Sequence, residues 1–186
     1  MAGAFLLALA VLLAAPTGGT ARADQTDSKL DELFEVLQSG ELSYGEAKGI
    51  EQRIWGLWLE AETGSGDVLL KDGMQAMNER DLPRAEESFT ALTELDPDFA
   101  EGWNKRATVR YHMGKYGGSL DDIKRTLTLE PRHFGAMAGL GLVYDALGDL
   151  EAAAEAYRKA LEINPYMPGI AQRLGIVEQM LEEKRI

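Results

Sequence analysis

Apolar side chains recur along much of this chain at helical intervals. Leu30, Leu33, Phe34 and Leu37 stand at i, i+3, i+4 and i+7, which gathers them on one face of an amphipathic helix. Ser39 and Gly40 interrupt that pattern. A second helix is predicted from near Ser43 to about Thr63, because the Ser43 hydroxyl can cap its first turn and Glu46, three residues on, can return the bond. Its buried stripe is Ile50, Ile54, Leu57, Trp58 and Ala61, and Glu62 to Gly66 reads as a short linker. Near the other end, Ile170, Leu174, Val177 and Leu181 form one stripe, with Gln172, Arg173, Glu178, Glu182, Glu183, Lys184 and Arg185 facing away from it. That pattern predicts a solvating helix over residues 168–186.

Residues Ala4 to Ala15 have no polar face at all. A run of this length falls short of the roughly 20 residues that cross a bilayer. It is followed by Pro16, Gly18 and Gly19 and then by Ala21-Arg22-Ala23, a small-x-small pattern. Residues 1–23 therefore read as a signal peptide cleaved after Ala23, although no Lys or Arg precedes the apolar run. With that leader removed, no membrane insertion is expected, and the mature chain is expected in the periplasm or outside the cell.

The middle of the chain repeats. Pro97, Pro131 and Pro165 are spaced 34 residues apart, each after an apolar-polar pair: Leu95-Asp96, Leu129-Glu130 and Ile163-Asn164. Aligned on them, the units run over residues 66–99, 100–133 and 134–167. The eighth place holds Gly73, Ala107 and Gly141, all small; the twentieth holds Ala85, Ser119 and Ala153; the twenty-fourth holds Phe89, Ile123 and Tyr157, all bulky. Small residues let antiparallel helices approach, glycines such as Gly114 and Gly148 reverse the chain, and a proline ends the second helix of each unit.

A period of 34 with these residues resembles the tetratricopeptide repeat (TPR). The third unit matches best, with Leu140-Gly141, Tyr144, Gly148-Asp149-Leu150, Ala153, Tyr157, Ala160 and Pro165 in place. The resemblance covers roughly residues 66–186 and implies an all-α, right-handed helical solenoid of about three helix-turn-helix repeats. Residues 24–65 would add an N-terminal helical hairpin, read as an atypical first layer over the exposed side of the first repeat, and residues 168–186 a C-terminal capping helix. In all, the chain looks like a small exported bacterial TPR protein. Trp103, Phe89, Tyr144 and Tyr157 then read as structural.

In such a stack the first helix of each repeat lines a concave surface. The resemblance places Leu70, Met74, Met77, Glu101, Asn104, Thr108, Tyr111, His112, Leu142 and Asp145 there, as candidate peptide-binding residues. Methionines adapt to varied apolar side chains, and Asn104 can pair with a peptide backbone. Some family members grip a partner's C-terminal carboxylate with Lys, Asn, Asn, Lys and Arg. The matching positions here are Leu70, Met74, Lys105, Gly135 and Gly139, so that clamp is missing. Asp72 and Arg106 both stand at the seventh place, where burial is expected. Their pairing across adjacent inner helices is predicted, with Arg110 one turn on to share it.

Composition narrows the function. A formal charge of -12 repels phosphate backbones, which argues against nucleic acid as a partner. Without cysteine there are no disulfides, thiolate metal sites or thiol nucleophiles. The two histidines, His112 and His133, lack metal-ligand spacing, and His133 reads as an exposed or capping residue at a turn. A Ser119, His112 and Asp121 set is close in sequence only, and Gly139 and Gly141 form no phosphate-binding pattern. No catalysis and no cofactor are expected. The expected function is that of an adaptor or scaffold holding a protein or peptide segment in its groove, with self-association through the repeats as the alternative.

Overall fold

A computed structural model describes residues 28–61 and 63–184. The proposed leader, residues 1–23, lies outside them. The described residues form nine helices and no strand: α1 (Ser28–Gln38), α2 (Tyr44–Trp58), α3 (Gly64–Asn78), α4 (Leu82–Leu95), α5 (Ala100–His112), α6 (Tyr116–Leu129), α7 (Phe134–Leu147), α8 (Leu150–Ile163) and α9 (Pro168–Glu183). Helices α3 to α8 stack as three hairpins, and α9 packs on α8.

The period of 34 has a physical counterpart at each place. A Cβ built on Gly73 would lie 2.5 Å from the Phe89 ring, and one on Gly141 would lie 2.4 Å from the Tyr157 ring. The small residue of the first helix is thus the socket for the bulky residue of the second, and Phe89 and Tyr157 are fully buried. The turn between the two helices places Arg80, Gly114 and Gly148 in the left-handed region, with φ of 62°, 72° and 79°. Asp81 and Asp149 then cap α4 and α8 through the backbone N–H of Arg84 and Ala152. Pro97, Pro131 and Pro165 all lie just past a helix end. Beside two of them a buried polar side chain closes the turn: Glu130 accepts from the Arg132 N–H at 2.8 Å, and Asn164 from the Tyr166 N–H at 3.0 Å.

Two features of the N-terminal part depart from the sequence-based expectation. Helix α2 starts with the expected reciprocal cap, Ser43 accepting from the Glu46 N–H and Glu46 from the Ser43 N–H, but it ends at Trp58 and not near Thr63. Thr63 instead caps α3, accepting from the Gly66 N–H at 2.9 Å, so Gly64 to Gly66 form a first helical turn in place of a linker. A hydroxyl two to three residues ahead of free N–H groups captures the helix start more strongly than the glycines resist it.

The second departure is the position of α1 and α2. They do not form a first layer on α3 and α4. Their apolar face, with Leu30, Leu33, Phe34, Leu37, Ile54 and Trp58, packs on Phe134, Ile163, Tyr166 and Met167 at the repeat-to-repeat turns after α6 and α8. The aromatic contacts explain the choice: Trp55 and Trp58 both meet His133 and Phe134, a cluster the first repeat has no counterpart for. Leu59 and Ala61, beyond α2, pack against the core of the first repeat.

Candidate functional site

The inner face is built from α3, α5 and α7, and the structure divides the expected groove residues into two groups. Asn104, Thr108, Tyr111, His112 and Leu142 come together around a cavity of about 100 Å³ between α5 and α7. Its wall is completed by Gly135 and Gly139, whose missing side chains leave the space, and by Ile123 and Ser119 of α6 beneath. The Ser119 hydroxyl is committed to the Ala107 carbonyl at 2.9 Å. The lining is thus mostly apolar, with an amide, a hydroxyl, a phenol and an imidazole at its rim.

The other expected residues lie elsewhere. Leu70 is buried in the core of the first repeat, and Met74 and Met77 pack against that core beside Leu59 and Ala61. Asp145 is bound by Arg173 of α9 at 3.0 Å. Glu101 is completely enclosed: its carboxylate meets Lys105 at 2.9 Å, the Asn104 amide at 2.8 Å and His133 Nε2 at 2.9 Å. Burial opposes ionisation of Glu101, but the Lys105 ammonium and the His133 N–H outweigh it and hold the carboxyl below the usual carboxylate range.

His133 is a capping residue, as one sequence reading had it, but it is fully buried and not exposed. Its Nδ1 accepts the Ala136 N–H at 3.0 Å, which leaves the proton on Nε2 for Glu101. The indole of Trp58 stacks on the ring at 4.1 Å. Both ring nitrogens and one face are occupied, so the imidazole has no lone pair to offer a substrate. Asp121, the third member of the imagined Ser-His-Asp set, lines a different cleft with Leu120 and Lys124. Among the described residues no group of three or more potential metal ligands converges.

The seventh-place charges find different partners from those expected. Asp72 pairs with Arg84 and Ser88 of its own hairpin, not with Arg106. Arg106 makes a two-pronged bond to Asp122 at 2.8 and 2.9 Å and donates to Thr93 at 2.8 Å. Arg110 also binds Asp122, at 2.8 Å, and reaches Glu86 of the preceding repeat. The seventh place of a first helix faces the twenty-third place of the second helix of the same repeat, so an acid there captures the guanidinium first.

Three hairpins with a shared socket and turn geometry can be compared with known proteins. A tetratricopeptide-repeat family model matches residues 104–168. A TPR repeat-containing protein of Rhizobium etli is 30% identical over 157 residues, covering 84% of this chain and 76% of the relative. The chain belongs to the tetratricopeptide-repeat family. Among solved TPR structures, the Sgt2 TPR domain from Aspergillus fumigatus matches with a TM-score of 0.64 at 24% identity, over 67% of this chain and 84% of that one. The first TPR of Spaghetti (RPAP3), solved with an HSP90 peptide, matches with a TM-score of 0.63 at 21% identity, over 66% and 97%. Both likenesses are of fold.

The sequence places Gly135 and Gly139 at inner-face positions, but it shows neither the cavity they leave nor the contact of Trp55. Gly135 and Gly139 leave a cavity because they lack side chains, and a glycine in a helix carries no mark that distinguishes a gap from a packing contact. Trp55, beside Gly135, was missed because nothing in the spacing of residues 44–61 tells which surface the second helix covers.

Proposed function

We propose that this TPR protein is a non-catalytic adaptor of the cell envelope that holds a segment of another protein in the open part of its inner groove, between α5 and α7. The observation that carries the reading is the cavity shared by Asn104, Thr108, Tyr111, His112 and Leu142. About 100 Å³ suits one branched aliphatic or aromatic side chain, and the polar rim suits the peptide groups on either side of it. An acidic chaperone tail is a poor fit, since Leu70, Met74, Gly135 and Gly139 stand at four of the five clamp positions. The envelope location rests on residues 1–23. Mass spectrometry of the protein from its native cell should show a mature chain that starts at Asp24, and an intact Met1 would refute it.

The groove is tested by selecting random displayed peptides on the full chain and comparing Gly139→Leu. A Cβ at Gly139 would meet Ile123 at an ordinary 3.7 Å, so the backbone there accepts a side chain; the variant should fold and gain helix propensity while its leucine reaches into the cavity. Recovered peptides should share one bulky apolar anchor and bind the variant at least about tenfold more weakly. Peptides that bind both proteins equally would place the site elsewhere. Self-association is a second reading, favoured by Ile176 and Met180, which stand exposed on α9. Light scattering at tens of micromolar separates the two, and a monodisperse monomer discards it.

A further inference from the structure

Beside the open cavity, the inner face meets the repeat-to-repeat turn before α7, and there α2 of the same chain covers it. Trp55 of α2 lies against Gly135, where a Cβ would fall 2.7 Å from the indole, and the Lys105 ammonium sits 5.4 Å over the same ring. Gly135 and Lys105 belong to the inner helices, and Gly135 also lines the open cavity, so the covered surface adjoins it. Trp58 extends the covered surface by stacking on His133. From this arrangement we infer that the surface under α2 is a docking site for an amphipathic helix bearing two aromatic residues three positions apart, held shut in cis by α2.

Three further observations support a seat that can be vacated. Between α2 and α3 the described residues 59–61 and 63 are not helical, so α2 is not continuous with the repeats. Two polar ties lie at the surface, Gln38 to the Ile163 carbonyl at 3.3 Å and Asp31 with Arg132, and two are half-buried, the Leu42 N–H to the Tyr166 hydroxyl at 3.2 Å and Glu51 with Asn164. The Trp58 Nε1–H is buried with no hydrogen-bond acceptor, a cost borne only while α2 is docked. A helix that supplied the same rings and an acceptor for that position would bind more favourably than α2 does. The inference extends the groove reading to the covered surface beside the cavity, and the two can fail separately.

Hydrogen exchange on the intact wild-type chain gives the first test. Amides of α1 and α2 should exchange together and at least tenfold faster than those of α5 to α8; equal protection would overturn the inference. The second test uses a fluorescent synthetic peptide of residues 44–61 added to the full chain. It should bind Trp55→Ala at least tenfold more tightly than wild type, because the vacated seat accepts it, while circular dichroism shows that α3 to α9 are retained. Equal binding to both, or to neither, would overturn it. Gly139→Leu should leave this peptide unaffected, so loss of the open-cavity site in that variant says nothing against the docking seat.

Discussion

Asp122 is the residue on which the charged interior depends. It is buried, and it neutralises Arg106 and Arg110 together, so its removal leaves Arg106 without its carboxylate inside the stack and Arg110 with Glu86 alone. Asp122→Ala should cost about 3–5 kcal/mol, read as a fall in the urea midpoint. In double-mutant cycles Arg106 should couple to Asp122 but add independently to Asp72, whose partners are Arg84 and Ser88. Glu101 gives a prediction of opposite character. Its carboxyl is held below the ordinary range, so its contribution is complete at neutral pH and is lost as pH falls through the folded-state value. Stability measured from neutral pH down through the carboxylate range should decline less steeply in Glu101→Gln than in wild type. An identical slope would mean that Lys105 and His133 do not stabilise the charge.

At the scale of the element, the turn between paired helices demands a left-handed residue, and the first repeat meets that demand with Arg80 where the others use Gly114 and Gly148. A side chain there costs about 1 kcal/mol. Arg80→Gly should therefore raise the urea midpoint by a corresponding amount, and Gly148→Ala should lower it. Gly141→Ala sets two effects against each other: helix propensity favours alanine by about 1 kcal/mol, whereas a methyl 2.4 Å from the buried Tyr157 ring overpacks the hairpin by about 1–3 kcal/mol. The melting temperature should fall. The packing places were legible in the sequence because each repeats every 34 residues and keeps its size between units even when letters change, whereas the turn place was legible only where it holds Gly114 and Gly148. The end of α2 was not legible, because the choice lay between continuing a helix and starting a new one at Thr63, and one hydroxyl bond settled it.

For the whole molecule, periodicity foretells contacts between neighbouring repeats and is silent about a hairpin that has no period. The fold of residues 66–183 could thus be read in advance, and so could the shared inner-face position of Asn104, Thr108, Tyr111, His112 and Leu142, while the surface chosen by α1 and α2 could not. That choice also has a consequence in time. Gln38 and its acceptor Ile163 are 125 residues apart, so α1 and α2 leave the ribosome long before their seat exists. At about 5–20 residues per second, the interval is roughly 6–25 s. Until Ile163, Tyr166 and Met167 emerge, Leu30, Phe34, Ile54 and Trp58 have each other but not their full seat, so the nascent protein presents a sticky helix pair to whatever chaperone or neighbouring polypeptide is at hand.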